Sequence, residues 1–331
     1  MTGYSQFALT RLARDTSLHH LYKSTSLSQN NDNTMATLDY QQNDITIQAT
    51  ADSHLAGTVY SPLESLPTIK PVTDAVLIAP ATGIRRQFYG HFAGFLASQG
   101  CGVLSFDFDG VGDSLQGNIN DNKASLQSWG EQDLPAALDK LMSQFPNCRY
   151  HLIGNSAGGQ LIGLMPNARH LTSVFNVGAS SGQLCNFPAW FYLQAQFFMN
   201  FAIPMSNALL GHTRSDWFGM GQPLPKNVGT QWRQWCNGAG YVATAFGKTI
   251  HQHYYDELTL PILWLHATDD DIAVEANVDD MISVFSKAQS IKLKVAPQDY
   301  ELAHVGHTSF FRLQSQVMWP LALDWLQQHA E

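Results

Sequence analysis

Apolar residues alternate with polar ones, or run together, in "DITIQAT" at 44–50 and "HLAGTVYSP" at 54–62. Those patterns predict a leading hairpin. "DAVLIAP" at 74–80 is a short apolar run closed by proline, the pattern of a buried strand. Helical spacing follows at 87–100, where Phe88, Phe92, Phe95 and Leu96 share a face and Gly100 suits the stop. The run at 102–106 predicts the next strand. Residues 125–146 predict a helix, with Leu126, Trp129, Leu134, Leu138 and Leu141 on its apolar stripe. "YHLIGN" at 150–155 predicts a strand, 157–164 a helix and 171–179 a strand. The C-terminal third repeats the alternation, with strands at 260–267 and 290–297, a helix at 274–286, and a single closing helix over 309–329. Strands alternating with helices predict an α/β fold, a mostly parallel central sheet with helices on both faces.

One segment breaks the rhythm. Residues 183–257 show no clean strand and carry many aromatics and glycines. A piece of that length predicts an insertion over the C-terminal edge of the sheet, a helical cap. The expected organisation is a core at 37–182, the cap at 183–257 and the rest of the core at 258–331. Residues 1–36 are rich in Ser, Thr, Asn and Gln and have no long apolar stretch. They read as a disordered extension or an over-long start ahead of Met35.

Bulk properties narrow the classes. At 44% hydrophobic and 14% charged, the 331 residues can bury a sizeable core. A net charge of −9 argues against a nucleic-acid partner. Cys101, Cys148, Cys185 and Cys236 are scattered without a CxxC pair, as in a reduced, cytoplasmic protein. No run of about 18 apolar residues predicts a membrane span. The nearest, 186–205, is broken by Pro188, Gln194, Gln196, Asn200 and Pro204, and reads as an amphipathic cap helix.

The candidate chemistry starts at Gly154-Asn155-Ser156-Ala157-Gly158. Gly-x-Ser-x-Gly is weak evidence alone, but here it closes a strand and opens a helix, the setting of a nucleophile elbow. A serine on that sharp turn needs small neighbours two positions away on either side, and Gly154 and Gly158 supply them. The competing reading is a glycine-rich turn that binds phosphate. The sequence has neither the GK[ST] of a P-loop nor the spacing of a dinucleotide fingerprint.

A serine hydroxyl needs a base, and the base needs an orienting carboxylate. In this setting the acid and then the histidine follow the serine along the chain. Asp269, Asp270 and Asp271 end the strand at 260–267, and with Ala267 in the place of a frequent glycine the acid falls on Asp270. Its neighbours stay as alternatives, and those not used would be solvated. His304 and His307 follow the strand at 290–297. A Gly-His pair entering the last helix selects His307 and leaves His304 as a loop residue; a metal site at the two lacks a partnering carboxylate motif. The oxyanion hole needs two N–H groups. Ala157 offers one, and Ala81 or Thr82 in "PATG" offers the other. The aromatic residues of 183–257, Trp190, Phe197 and Trp217 among them, would line an apolar acyl pocket or form the segment's own core.

Together "PATGIRRQFYGHFAGFLASQGCGVLSFDFDGVGDS", "IGNSAGGQLIGLMPNA" and "GHTSFFR" resemble the α/β-hydrolase superfamily over most of 74–328. More narrowly they resemble a little-characterised bacterial group marked by Pro-Ala-Thr-Gly and Gly-His-x-x-Phe-Phe-Arg. Two departures stand out. Asn155 occupies a position where histidine is common, and Asp109 replaces an arginine in a loop expected to pack without a catalytic role. The resemblance implies a Ser156–Asp270–His307 triad beneath a cap. Relatives that open epoxides or displace halides carry aspartate at the nucleophile. Serine therefore implies an acyl-enzyme, cleaving carboxylic esters, thioesters or amides with no cofactor or metal, and the aromatics of 183–257 point to a small-molecule, apolar acyl substrate such as a small or medium ester. The alternatives are acyl transfer, or C–C or peroxide chemistry, on the same triad, and a non-catalytic ligand- or partner-binding relative.

Overall fold

The computed structural model describes residues 40–63 and 71–329. The reading of 1–36 as an extension lies outside the described residues. Eight strands form one sheet: β1 (Tyr40–Gln48), β2 (His54–Pro62), β3 (Asp74–Ala79), β4 (Gly102–Phe106), β5 (Arg149–Asn155), β6 (Leu171–Val177), β9 (Pro261–Ala267) and β10 (Gln289–Val295). Two-residue strands β7 (His212–Thr213) and β8 (Leu224–Pro225) pair separately within the 183–257 segment. The order across the large sheet is β1-β2-β4-β3-β5-β6-β9-β10. β1 and β2 form the expected antiparallel hairpin, β2 meets β4 antiparallel, and every other pairing is parallel.

The period of two decides which face each side chain covers. Along β3, Ala75, Leu77 and Ala79 join one buried layer and Val76 and Ile78 the other. The first layer is closed by Leu134, Leu138 and Leu141 of helix Leu134–Gln144. The second is closed by Phe92 and Leu96 of helix Gly90–Ser98 and by Trp325 and Leu326 of helix Pro320–Gln328. A parallel sheet covered on both faces explains why the central strands read as unbroken apolar runs.

Three helices differ from their sequence pattern. The helix of 125–146 passes through a π-turn at Trp129–Asp133 before Leu134–Gln144. The helix after Ser156 is one α-turn, Ala157–Gln160, followed by a 3-10 turn, Ile162–Leu164. There the Tyr255 ring packs so closely on Gly163 that a Cβ would fall 2.3 Å from it, and Pro166 follows. The closing helix is 3-10 turns at Ser309–Phe311 and Leu313–Met318, then an α-helix only from Pro320. Pro320 has no N–H to bond the preceding turn and starts a new helix instead.

Between β6 and β9 the chain is mainly helical, with helices Ala189–Phe197, Ile203–Leu210 and Lys226–Cys236. A π-turn at Phe198–Ala202 joins the first two just ahead of Pro204. The segment touches the loops that leave β3 and β4. The Gln222 N–H donates to the Gly83 carbonyl (2.8 Å), and its side-chain oxygen accepts the Gly112 N–H (3.1 Å). Among the described residues, no helix is long and apolar enough to cross a membrane. All four cysteines are free thiols.

Candidate active site

Ser156 sits between the end of β5 and the single helical turn, at φ 48° and ψ −112°. Positive φ is costly for a residue with a Cβ. The surrounding packing imposes it. A Cβ on Gly158 would lie 2.1 Å from the Ala79 carbonyl oxygen, and one on Gly154 would lie 2.6 Å from the Gly159 backbone. The turn is thus pressed against the end of β3, where the 80–83 turn begins.

The structure brings Ser156, His307 and Asp270 together. His307 Nδ1 lies 2.8 Å from Asp270 Oδ2, and Nε2 lies 3.0 Å from Ser156 Oγ. A carboxylate only accepts, so Nδ1 carries the hydrogen, and Nε2 is left to accept from the serine hydroxyl. Asp270 Oδ1 accepts the N–H groups of Ile272 and Ala273, each at 2.9 Å. The Asp270 side chain is 1% exposed. Burial works against its charge, but the facing His307 and the two backbone donors outweigh it and hold the carboxyl below its ordinary pKa. For His307, burial likewise disfavours the charged ring, while the Asp270 charge and hydrogen bond prevail and raise its pKa.

The neighbouring acids separate. Asp269, expected to be solvated if unused, accepts the Val305 and Gly306 N–H groups at 3.0 Å each and pairs with His304 at 2.6 Å. It fastens the loop that carries His307. His304 and His307 therefore face different carboxylates. Among the described residues, no group of three His, Cys, Asp or Glu side chains is placed to hold a metal ion. Gly178, at φ 65°, leaves room behind the imidazole: a Cβ there would lie 3.2 Å from the ring. Asp269 was visible in the sequence only as an alternative acid, and Gly178 carried no signal, because the roles of both rest on contacts distant in the chain.

The oxyanion candidates also divide. The N–H groups of Ala157 and Thr82 donate to no acceptor among the described residues. Ala81 requires a correction: its N–H donates to the Tyr89 hydroxyl at 2.9 Å and is already committed. Just beyond, buried Arg86 anchors the turn. Its N–H and guanidinium both bond the fully buried Asp107 carboxylate, and Asp113 takes the guanidinium too. Asp109, in place of the usual arginine, accepts from Ser53 and Asn122 and packs the loop.

The aromatic residues of 183–257 split by exposure. Phe198 and Trp235 are buried, packed on Trp232 and Tyr241 of the same segment within the cluster that continues into the sheet. Trp190, Phe197 and Trp217 are 64%, 52% and 59% exposed, so they line no enclosed cavity. Phe197 stacks on Phe201, and the Arg214 guanidinium lies over the Trp217 ring.

The sequence family described as the alpha/beta hydrolase family matches residues 76–316, well over half of the chain. The chain belongs to that family. Solved structures share the fold at low identity. A soluble variant of monoglyceride lipase from Saccharomyces cerevisiae, in complex with a substrate analog, has a TM-score of 0.63 at 13% identity, covering 89% of this chain and 96% of that one. A hypothetical protein from Pseudomonas aeruginosa has a TM-score of 0.59 at 14%, covering 92% and 98%. An esterase from Pyrococcus furiosus has a TM-score of 0.57 at 14%, covering 88% and 92%. No curated protein matches the sequence at a significant level. Within this α/β hydrolase, the elbow, the two carboxylates and the histidine all lie at the carboxyl ends of parallel strands, where such sheets place their sites.

Proposed function

We propose that this α/β hydrolase is a serine hydrolase that cleaves carboxylic esters through an acyl-enzyme. The observation that carries the reading is the hydrogen-bonded line from Ser156 Oγ through His307 to Asp270, mounted on the strained turn. Ser156 Oγ attacks the ester carbonyl carbon while His307 Nε2 takes its proton. The negative charge that develops on the carbonyl oxygen meets the N–H groups of Ala157 and Thr82. His307 then returns the proton to the departing alkoxide. Water, deprotonated by the same nitrogen, attacks the acyl-enzyme and frees Ser156. Asp270 stays ionised, fixes the tautomer and stabilises the imidazolium.

In this reading residues 183–257 act as the cap. The bonds of Gln222 to Gly83 and Gly112 support that role, since the two glycines lie in the loops that leave β3 and β4, and β3 ends against the Ser156 turn. Trp190, Phe197 and Trp217 then receive the apolar acyl part on the cap, as exposed rings available to a ligand.

The test is hydrolysis of p-nitrophenyl esters of graded chain length by the wild type and by Ser156→Ala. Turnover that rises with moderate chain length and vanishes in Ser156→Ala supports the reading. Product formed only when an alcohol acceptor is added would replace hydrolysis by acyl transfer.

A further inference from the structure

A buried tyrosine–asparagine pair joins three parts of the site that belong to distant stretches of chain. Tyr89 and Asn155 are both fully buried. The Tyr89 hydroxyl accepts the Ala81 N–H at 2.9 Å and donates to Asn155 Oδ1 at 3.0 Å. The Asn155 amide nitrogen donates to the Val177 carbonyl at 3.1 Å and reaches toward the His307 carbonyl at 3.5 Å. Val177 O also accepts the Ser156 N–H at 3.0 Å. The atoms tied in this way reach the proposed chemistry from three sides: Ala81 precedes Thr82, Asn155 precedes Ser156 and shares the Val177 carbonyl with its N–H, and the last carbonyl is that of His307 itself. The Tyr89 ring also packs edge-on against Phe311, four residues beyond His307, with centroids 4.9 Å apart.

A polar pair that served packing alone could be replaced by two apolar side chains of the same shape at little cost. Here its hydrogen bonds end on the backbone of the turn, of the end of β6 that also holds the Ser156 N–H, and of the histidine loop. Because Tyr89 consumes the Ala81 N–H, the next N–H in the turn, that of Thr82, is the one left for an anion. We propose that Tyr89 and Asn155 are positioning residues that hold the 81–82 turn in register with Ser156 and His307, so that Thr82 and not Ala81 completes the oxyanion site. The proposal rests on the serine-hydrolase reading given above.

Tyr89→Phe removes one oxygen, keeps the ring packing, and frees both the Ala81 N–H and Asn155 Oδ1. Because a misplaced oxyanion donor acts on the transition state, kcat should fall about tenfold or more while KM stays within about twofold. Asn155→Leu should do the same. If the two residues act as one unit, the double variant should lose no more than about twofold beyond the worse single variant. The experiment measures kcat and KM of the wild type, both singles and the double, per active site titrated with a fluorophosphonate, beside thermal melting. A purely structural pair would lower the melting temperature and leave kcat per titrated site unchanged. Tyr89→Phe that titrates normally and keeps kcat within about twofold overturns the proposal, as do losses that multiply in the double variant. Should Asn155→Leu fail to fold, Tyr89→Phe decides alone. A wild type that neither titrates nor turns over esters removes the underlying reading and this proposal with it, whereas an active wild type with an indifferent Tyr89→Phe removes the proposal only.

Discussion

His307 Nδ1 and Asp270 Oδ2 are 2.8 Å apart, and the carboxylate is almost wholly out of water. In the proposed chemistry this pair sets the pH dependence. His307 must be neutral to accept the Ser156 proton, and Asp270 raises its pKa above the ordinary 6.5. Activity is therefore lost as pH falls through that raised value, and the acid limb of kcat/KM should have its midpoint above 6.5. Asp270→Asn removes the charge that raises the pKa and leaves the burial that lowers it. The limb should move to lower pH, while kcat falls by about 10³- to 10⁴-fold through the wrong tautomer. A pH–rate profile of both proteins checks the direction.

Gly158 is required by contact. Its hypothetical Cβ would lie 2.1 Å from a backbone oxygen of β3, which cannot swing aside as a side chain could. Gly158→Ala should lower stability by about 1–3 kcal/mol and reduce turnover in the protein that remains folded. Urea unfolding followed by tryptophan fluorescence gives the first quantity.

Asp269 offers a contrast with Asp270. It accepts two N–H groups of the loop before His307 and makes no hydrogen bond to His307 or Ser156. Asp269→Ala should cost about 1–2 kcal/mol for two partly exposed charge-assisted bonds. It should lower kcat by roughly tenfold through a looser imidazole, without moving the acid limb as Asp270→Asn does. The pH–rate profile separates the two aspartates.

If residues 183–257 act as the proposed cap, the three exposed rings predict a substrate effect with little effect on stability. Replacing Trp190, Phe197 and Trp217 together by alanine should change stability by no more than about 0.5 kcal/mol per site. KM for the longest ester should rise severalfold, and that for the acetate ester should hold. Equal changes for short and long esters would remove these rings from acyl recognition.

The sheet was legible because its period of two and its apolar runs are local facts. β3, β5 and β9 each begin and end within two residues of their sequence pattern. Ser156, Asp270 and His307, which the structure brings within hydrogen-bond distance, could be singled out as candidates because each follows a strand, and strand ends are visible in sequence. What stayed hidden depends on tertiary contact. The Tyr255 ring beside Gly163 cuts short the helix after Ser156, and Pro320 restarts the last one. Ala81 looked as free as Thr82, because the hydroxyl that occupies its N–H comes from eight residues along and is aimed by buried packing. The aromatic-rich segment gave no clue to which rings face water. Helical spacing identifies a face, and only the neighbours decide whether that face is covered.

In the proposed function Ser156 is a nucleophile activated by His307. Intact-protein and peptide mass spectrometry after treatment with a fluorophosphonate tests it most directly. One phosphonyl group per chain is expected, carried by the peptide containing Ser156, and absent in Ser156→Ala and in His307→Ala. A wild type that takes up no label, or takes it up at another residue, would contradict it.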